Sequence, residues 1–496
     1  MSEYYWVDIS QPSDFDALTG LIDSEFAPAE VVAELKASIR PAVRGVLVEK
    51  GYIDKDYRST FYKHYAKKGR DYRDDCIRLH FFAEGIGFDP ATTDLSAPSG
   101  TVNEGQYYGF IVLRPTIVAT IGRSILSPDI RLGARGTAIQ AKHKVHLLGY
   151  TLTVWGFPSM AQHIDISVCA HVSCWSILRH YSERFPQHRE LLLHDITLMA
   201  SQFDPGGVTP GLGLDIGEAE RVFQAAETYP LIVVKRGDED DRFYAQMIAY
   251  LESGFPLFIA LDINGEGHAI VAAGYSWTNP PKAPPYLISH AWEQIESILA
   301  VDDNLLPYGC IPVDPVESAA AGGPAPPYVA MDFFAFIVAL PEKIFYPAIT
   351  VDTYTEDVLY PLLTAELKGL PAEGVMLRRY FVTTISRLRD FARSRHSELG
   401  TELLNILMRL NTAQFVWVVE YASDEQWKNG HIAARAILDA TASPRDPVPI
   451  WLAHDHETAL MFDRNNPELD FTALKLDRAH EAPLGRMELN LRQVRK

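Results

Sequence analysis

Cysteine is scarce in this chain: four in 496 residues, Cys76, Cys169, Cys174 and Cys310. That is too few for a disulfide framework at this size, and no pair has the C-x-x-C spacing of a zinc site. Basic charge is short too. The 45 Lys and Arg are outnumbered by 64 Asp and Glu, for a net charge of −19. Each phosphate contact needs a Lys or Arg and no basic stripe is present, which argues against nucleic acid as a partner. The same charge disfavours anionic membrane surfaces. No apolar run reaches the roughly 18 residues that a membrane span needs. Residues 1–16 have neither the basic segment nor the apolar core of a secretory signal. The expected home is a reducing cytoplasm, where a thiol stays available for chemistry.

What is present is the composition of a globular protein, 47% hydrophobic and 22% charged. The length suggests about three domains, expected at 1–155, 156–345 and 346–496. The first and third read as mixed α/β regions. In the first, Val31 to Val48 reads as helix interrupted at Pro41, 85–105 as loop, and Tyr107 to Pro115 and Val145 to Val154 as strands. In the second, helices over 168–184, 215–226 and 243–252 precede strands over 256–262, 268–275, 286–289 and 298–301. One helix followed by a run of strands predicts α+β, not a doubly wound sheet. Residues 312–327, PVDPVESAAAGGPAPP, read as a linker. The apolar run Val329 to Leu340 is expected to close the preceding sheet. The third region should hold helices near 355–368, 378–395 and 398–410, and strands near 414–420 and 448–453.

The chemistry concentrates in the second region. Along Ser167-Val-Cys169-Ala-His-Val-Ser-Cys174-Trp, the residues Ala170, Cys174, Ile177, Leu178 and Tyr181 recur at helical spacing as one apolar stripe. Cys174 therefore faces a core, where a thiol is a small inert hydrophobe. Cys169 sits off the stripe at the helix start, with Ser167 or Asp165 as candidate N-cap. Free N–H groups and the positive dipole end there favour an anion. Cys169 is thus the candidate nucleophile.

His268 enters a strand in Gly265-Glu-Gly-His268-Ala-Ile-Val-Ala-Ala-Gly274, and the small residues around it let backbone pack close. An imidazole at a strand end beside a helix N-terminus is the arrangement that Cys–His catalysis uses. A third group must orient the ring, and Asp302-Asp303-Asn304 ends the next long strand. Period-two alternation puts Asp303 on the face of Val301, so Asp303 is preferred and Asp302 and Asn304 stay open.

At these residues the chain resembles the papain-like superfamily, and within it the bacterial C39-like peptidases, over about 160–340. Their order is a glutamine, a helix opened by the nucleophilic Cys, a Gly-His strand and a strand ending in Asp. Gln162, Cys169, His268 and Asp303 follow it, though Cys169-Ala-His171 stands where that family usually has Cys-Gly-Pro. Ser173-Cys174-Trp175 also matches the last three positions of the papain signature C-G-[SA]-C-[WY], so Cys174 remains the alternative nucleophile. The resemblance implies a nucleophile helix packed on an antiparallel sheet. It implies a peptide or isopeptide substrate, no cofactor, and Gln162 as oxyanion donor beside the Cys169 N–H. A non-catalytic papain-fold module that binds a peptide or protein partner, and an amidase or acyltransferase on a small substrate, are the alternatives.

Two further motifs point elsewhere. His454-Asp-His-Glu457 offers metal ligands, yet the spacing suits a turn better than a helical H-x-x-x-H pair. Gly206 to Gly213 lacks the G-x-x-x-x-G-K-[ST] of a phosphate loop and is expected to be a loop near the cleft.

Overall fold

The computed structural model describes the chain except for residues 1–2, 10, 84–105, 117–119, 163–168, 202–213, 238–239, 264, 279–287, 314–325, 342–343, 371–373, 477–482, 489 and 496. The loops expected at 85–105 and 206–213 lie wholly or almost wholly outside the described residues, and so does most of the linker at 312–327. The fold is mixed α+β. Among the described residues no helix is long and apolar enough to cross a membrane.

The N-terminal region is built from β1 (Glu3–Asp8), α1 (Phe15–Leu21), α2 (Pro28–Ser38), β2 (Val43–Tyr52), α3 (Lys55–Lys63), β3 (Cys76–Ala83), β4 (Tyr107–Leu113), β5 (Ile121–Leu126), β6 (Thr137–Ala138), β7 (Ala141–Leu147) and β8 (Tyr150–Ser159). Its antiparallel sheet runs β1-β2-β3-β4-β5-β8-β7. Leu18, Val31 and Leu35 of α1 and α2 pack with Val46, Ile77 and Leu79, while Tyr57 of α3 packs with Leu47, Phe82 and Phe110. Because successive residues of β2 feed different cores, its sequence lacks the alternation that marks a one-sided strand. That corrects the helix expected over Val31 to Val48, which stops at Ser38 before Pro41 and resumes as β2. The single strand expected over Val145 to Val154 is a hairpin, turned at Leu148 and Gly149 with φ of 49° and 85°.

The central region holds α4 (Cys169–Arg184), α5 (Leu193–Ser201), α6 (Ile216–Ala225), β9 (Tyr229–Val234), α7 (Asp241–Glu252), β10 (Leu257–Ile263), β11 (Glu266–Trp277), β12 (Ile288–His290), β13 (Ile295–Val301), β14 (Gly309–Pro312) and β15 (Phe333–Leu340). Its sheet runs β14-β13-β11-β10-β15-β9, all antiparallel. β15 thus lies inside the sheet, and β9 lies beyond it. α4 packs on β10 and β11. Every residue of α4 from Ala170 to Tyr181 is buried, since the N-terminal β7 and β8 cover it as well.

The C-terminal region contains α8 (Ala348–Tyr354), α9 (Tyr360–Glu366), β16 (Met376–Thr384), α10 (Ile385–Ser394), α11 (His396–Arg409), β17 (Phe415–Ser423), α12 (Asp424–Lys428), β18 (His431–Ile432), β19 (Ala434–Asp439), β20 (Ile450–His454), β21 (Thr458–Phe462), β22 (Phe471–Lys475), β23 (Leu484–Gly485) and β24 (Arg492–Gln493). Its sheet runs β12-β16-β17-β19-β20-β21-β22. The helix expected over 378–395 is a strand followed by a helix. The regions are stitched together. β12 crosses over to pair in parallel with β16. β24 pairs with β6, and β6 pairs with β11. At that crossing a Cβ on Gly274 would come within 2.3 Å of the Thr137 carbonyl oxygen, so only glycine admits β6. One core cluster runs from Cys174 to Trp417.

Candidate active site

α4 opens at Cys169, which is partly exposed, whereas Cys174 one turn on is fully buried. Burial pushes the Cys174 thiol far above its usual range. The proposed caps Ser167 and Asp165 lie outside the described residues. Ser173 is four residues after Cys169 and so shares its face. Its Oγ donates to the carbonyl of Ala269 at 3.2 Å, the residue after His268. This bond, together with the packing of α4 on β11, sets the start of the helix against the start of the strand.

His268 pairs with Leu261 across the β10–β11 hairpin, and its side chain is about 12% exposed. Its Nε2 lies 3.2 Å from Asp302 Oδ1. Burial alone would lower the imidazole. The hydrogen bonds and charges of Asp302 and then of Cys169 outweigh burial and push it up to about 10. The ring is therefore held as imidazolium between a carboxylate and the thiol.

The expected orienting group was Asp303, and here the geometry differs. The direct hydrogen bond comes from Asp302, and Asp303 Oδ1 stands at 3.9 Å from Nε2. β13 ends at Val301, so alternation does not carry into the turn that follows. Asn304, the other alternative, supports Asp302 by donating from its backbone N at 3.0 Å and from Nδ2 at 3.3 Å. Tyr328 donates its hydroxyl to Asp302 Oδ2. Burial would raise Asp302, but the His268 hydrogen bond and its charge bring it down to about 2. Burial does raise Asp303, and the Asp302 charge raises it further, to about 7. Neither Asp303 oxygen accepts a hydrogen bond from a described residue. The adjacent carboxyls thus divide the work: one anionic and bonded, the other held back from ionising.

Gln162 follows β8, and its backbone oxygen accepts from Arg114 Nη2 at 3.4 Å. It lines a pocket together with Asp303. Sequence reasoning missed Tyr328 and Ser173. Tyr328 ends a Pro- and Ala-rich tract without periodicity, and Ser173 reads in sequence as a match to the papain signature, not as a bond from the helix to β11.

Among the described residues, His268, Asp302 and Asp303 are also the group whose ligand atoms could share a metal ion, lying within 4.8 Å of one another. Both Asp302 oxygens are already engaged by protein donors, which suits a proton relay better than a coordination shell. The His454–Glu457 motif forms a tight turn instead. Asp455 Oδ1 accepts from the N–H groups of Glu457 and Thr458, both at 2.7 Å. His454 is fully buried, which lowers its imidazole to about 3.

Compared with known proteins, the sequence matches no family model and no curated protein.

Proposed function

We propose that the chain is a papain-like cysteine hydrolase that cleaves a peptide or isopeptide bond, with Cys169 as nucleophile, His268 as acid and base, and Asp302 as the group that orients the ring. The observation that carries this reading is the placement of Cys169 at a helix N-terminus packed on the strand that His268 enters, with His268 Nε2 3.2 Å from Asp302 Oδ1. In the proposed reaction the Cys169 thiolate attacks the scissile carbonyl, and a sulfur–carbon bond forms. Gln162 and the Cys169 N–H are the proposed oxyanion donors. The His268 imidazolium gives its proton to the leaving amine as the carbon–nitrogen bond breaks. The neutral ring then takes a proton from water, whose oxygen displaces sulfur and releases the acid.

Iodoacetamide at neutral pH, followed by peptide mass spectrometry, tests the assignment. Cys169 is expected to be modified well before Cys174, Cys76 and Cys310, and His268→Ala is expected to slow that modification without unfolding the chain. An inert Cys169 in folded protein would overturn the reading and favour a binding module. Preferential labelling of Cys174 would restore the alternative nucleophile.

A further inference from the structure

We propose that a pocket beside this site receives a basic side chain of the substrate, a lysine ammonium or an arginine guanidinium, an inference that rests on the cysteine-hydrolase reading. The pocket has a volume of about 300 Å³ and lies between α2, the end of β8 and the turn after β13. Glu30, Glu34 and Asp303 line it, with Ser159 and Gln162. An acidic lining alone would be a solvated surface. Two buried side chains make it more than that. Asp303 is 6% exposed and Ser159 3% exposed, and both Asp303 oxygens and Ser159 Oγ lack a hydrogen-bond partner among the described residues. Leaving such buried groups unpaired destabilises the folded chain. A ligand that brings donors recovers that cost.

The donor has a definite character. Glu30 and Glu34 accept and do not donate, and a cation seated beside Asp303 draws its carboxyl to the ionised, acceptor-only form, so the complementary group offers several N–H donors and no acceptor. Ammonium and guanidinium are the side-chain groups that do so. Val31, Ile121 and Met160 supply an apolar wall for a methylene stem. Arg131 Nη1 stands 3.8 Å from Glu34 Oε1, and the His268 ring stands 3.9 Å from Asp303 Oδ1. Each offsets part of one carboxylate, Arg114 Nη2 is engaged by the Ala161 and Gln162 carbonyls, and Glu30 is the exposed carboxylate of the lining. Glu34 also accepts from the Leu306 N–H at 3.3 Å, so α2 holds the turn that carries Asp302 and Asp303. Because Asp303 stands 3.9 Å from His268 Nε2, a side chain seated here belongs to a residue next to the scissile bond.

The test separates pocket from chemistry by using full-length Cys169→Ala protein. A positional-scanning library of short, N-acetylated and C-amidated peptides is passed over it, and retained peptides are read by mass spectrometry. Lysine and arginine should be enriched at one position, and single peptides should bind about tenfold tighter than their norleucine counterparts. Glu30→Gln, at an exposed position, should reduce that preference, and Glu30→Gln with Glu34→Gln should abolish it; melting curves confirm folding. Retention without basic enrichment, or enrichment that survives in the folded Gln variants, overturns the pocket. Wild-type protein is then given the same library. Cleavage without basic preference overturns the pocket and leaves the hydrolase standing. Basic retention with no cleavage overturns the hydrolase and leaves a cation-binding site.

Discussion

Tyr328 donates its phenolic proton to Oδ2 of Asp302, while the other oxygen of that carboxylate faces His268. The tyrosine lies on the far side of the central region in sequence, yet it fixes the group that fixes the ring. Tyr328→Phe keeps the aromatic packing and removes only the donor. It should cost about 1–3 kcal/mol of stability, because a buried acceptor loses its partner. It should also slow iodoacetamide modification of Cys169, since a looser Asp302 orients His268 less well. A Phe variant that melts and labels like wild type would remove Tyr328 from the relay.

The two neighbouring aspartates should respond differently to the same change. Asp302→Asn removes the charge that holds the imidazolium and turns an acceptor into a partial donor. Peptide hydrolysis should fall on the order of 10²–10⁴-fold, as when the orienting acid of a triad is amidated. Asp303→Asn mimics the protonated carboxyl already favoured at this position, with its upward shift to about 7. On substrates without a basic side chain for the neighbouring pocket, it should leave the rate near neutrality within about threefold. Equal losses from the two variants, measured as kcat/KM, would contradict the division of roles.

How much of this was legible beforehand follows from burial. The start of α4 could be read because an apolar stripe through Cys174 left Cys169 off the core side. The strand of His268 could be read because its small residues admit close backbone, as Gly274 admits β6. Asp302 could not be told from Asp303, since alternation is a property of strands and β13 ends at Val301. The helix expected over 378–395 took in most of β16, where Arg378 and Arg379 interrupt the apolar run of a buried strand. Both are about 4% exposed and neutralised by Asp352, Glu252 and Glu420. Those partners are distant in sequence, and no local pattern announces them.

Stability against pH carries a separate signature. Asp303 has its carboxyl raised from 3.8 to about 7 in the folded chain. The folded state therefore keeps a proton that the unfolded chain has lost, and stability falls as pH rises from about 4 to about 7. Asp303→Asn should remove that fall, so its advantage over wild type grows across this window, by about 1 kcal/mol or more. His268 works in a different window. Raised from 6.5 to about 10, it stabilises fully below about 6.5, and that contribution is lost as pH rises through about 10. Melting curves at pH 4, 7 and 10 for wild type, Asp303→Asn and His268→Ala check both signs. A wild-type to Asn gap that does not change between pH 4 and 7 would refute the first.

The central and C-terminal regions should unfold as one unit, because a buried ion network joins them. Arg379 on β16 donates from Nε to Glu252 Oε2 of α7 at 2.6 Å and from Nη1 to Glu420 Oε2 of β17 at 2.8 Å. Glu252 also accepts from Tyr275 of β11 at 2.7 Å, and Glu420 accepts from Arg435 Nη2 at 2.7 Å. Arg379→Ala leaves buried Glu252 with the Tyr275 hydroxyl but without its Arg379 guanidinium partner, and takes from Glu420 one of its two guanidinium partners. The expected loss is about 3–5 kcal/mol, far more than an exposed pair would give. Two local probes test whether that loss is shared. In a urea series, thiol labelling of buried Cys174 reports the central core, and hydrogen exchange along Met376–Thr384 reports the C-terminal sheet. In wild type the two should change at the same urea concentration, and in Arg379→Ala both should move to lower urea together. If β16 loses protection while Cys174 stays inaccessible in wild type, the network does not couple the two regions.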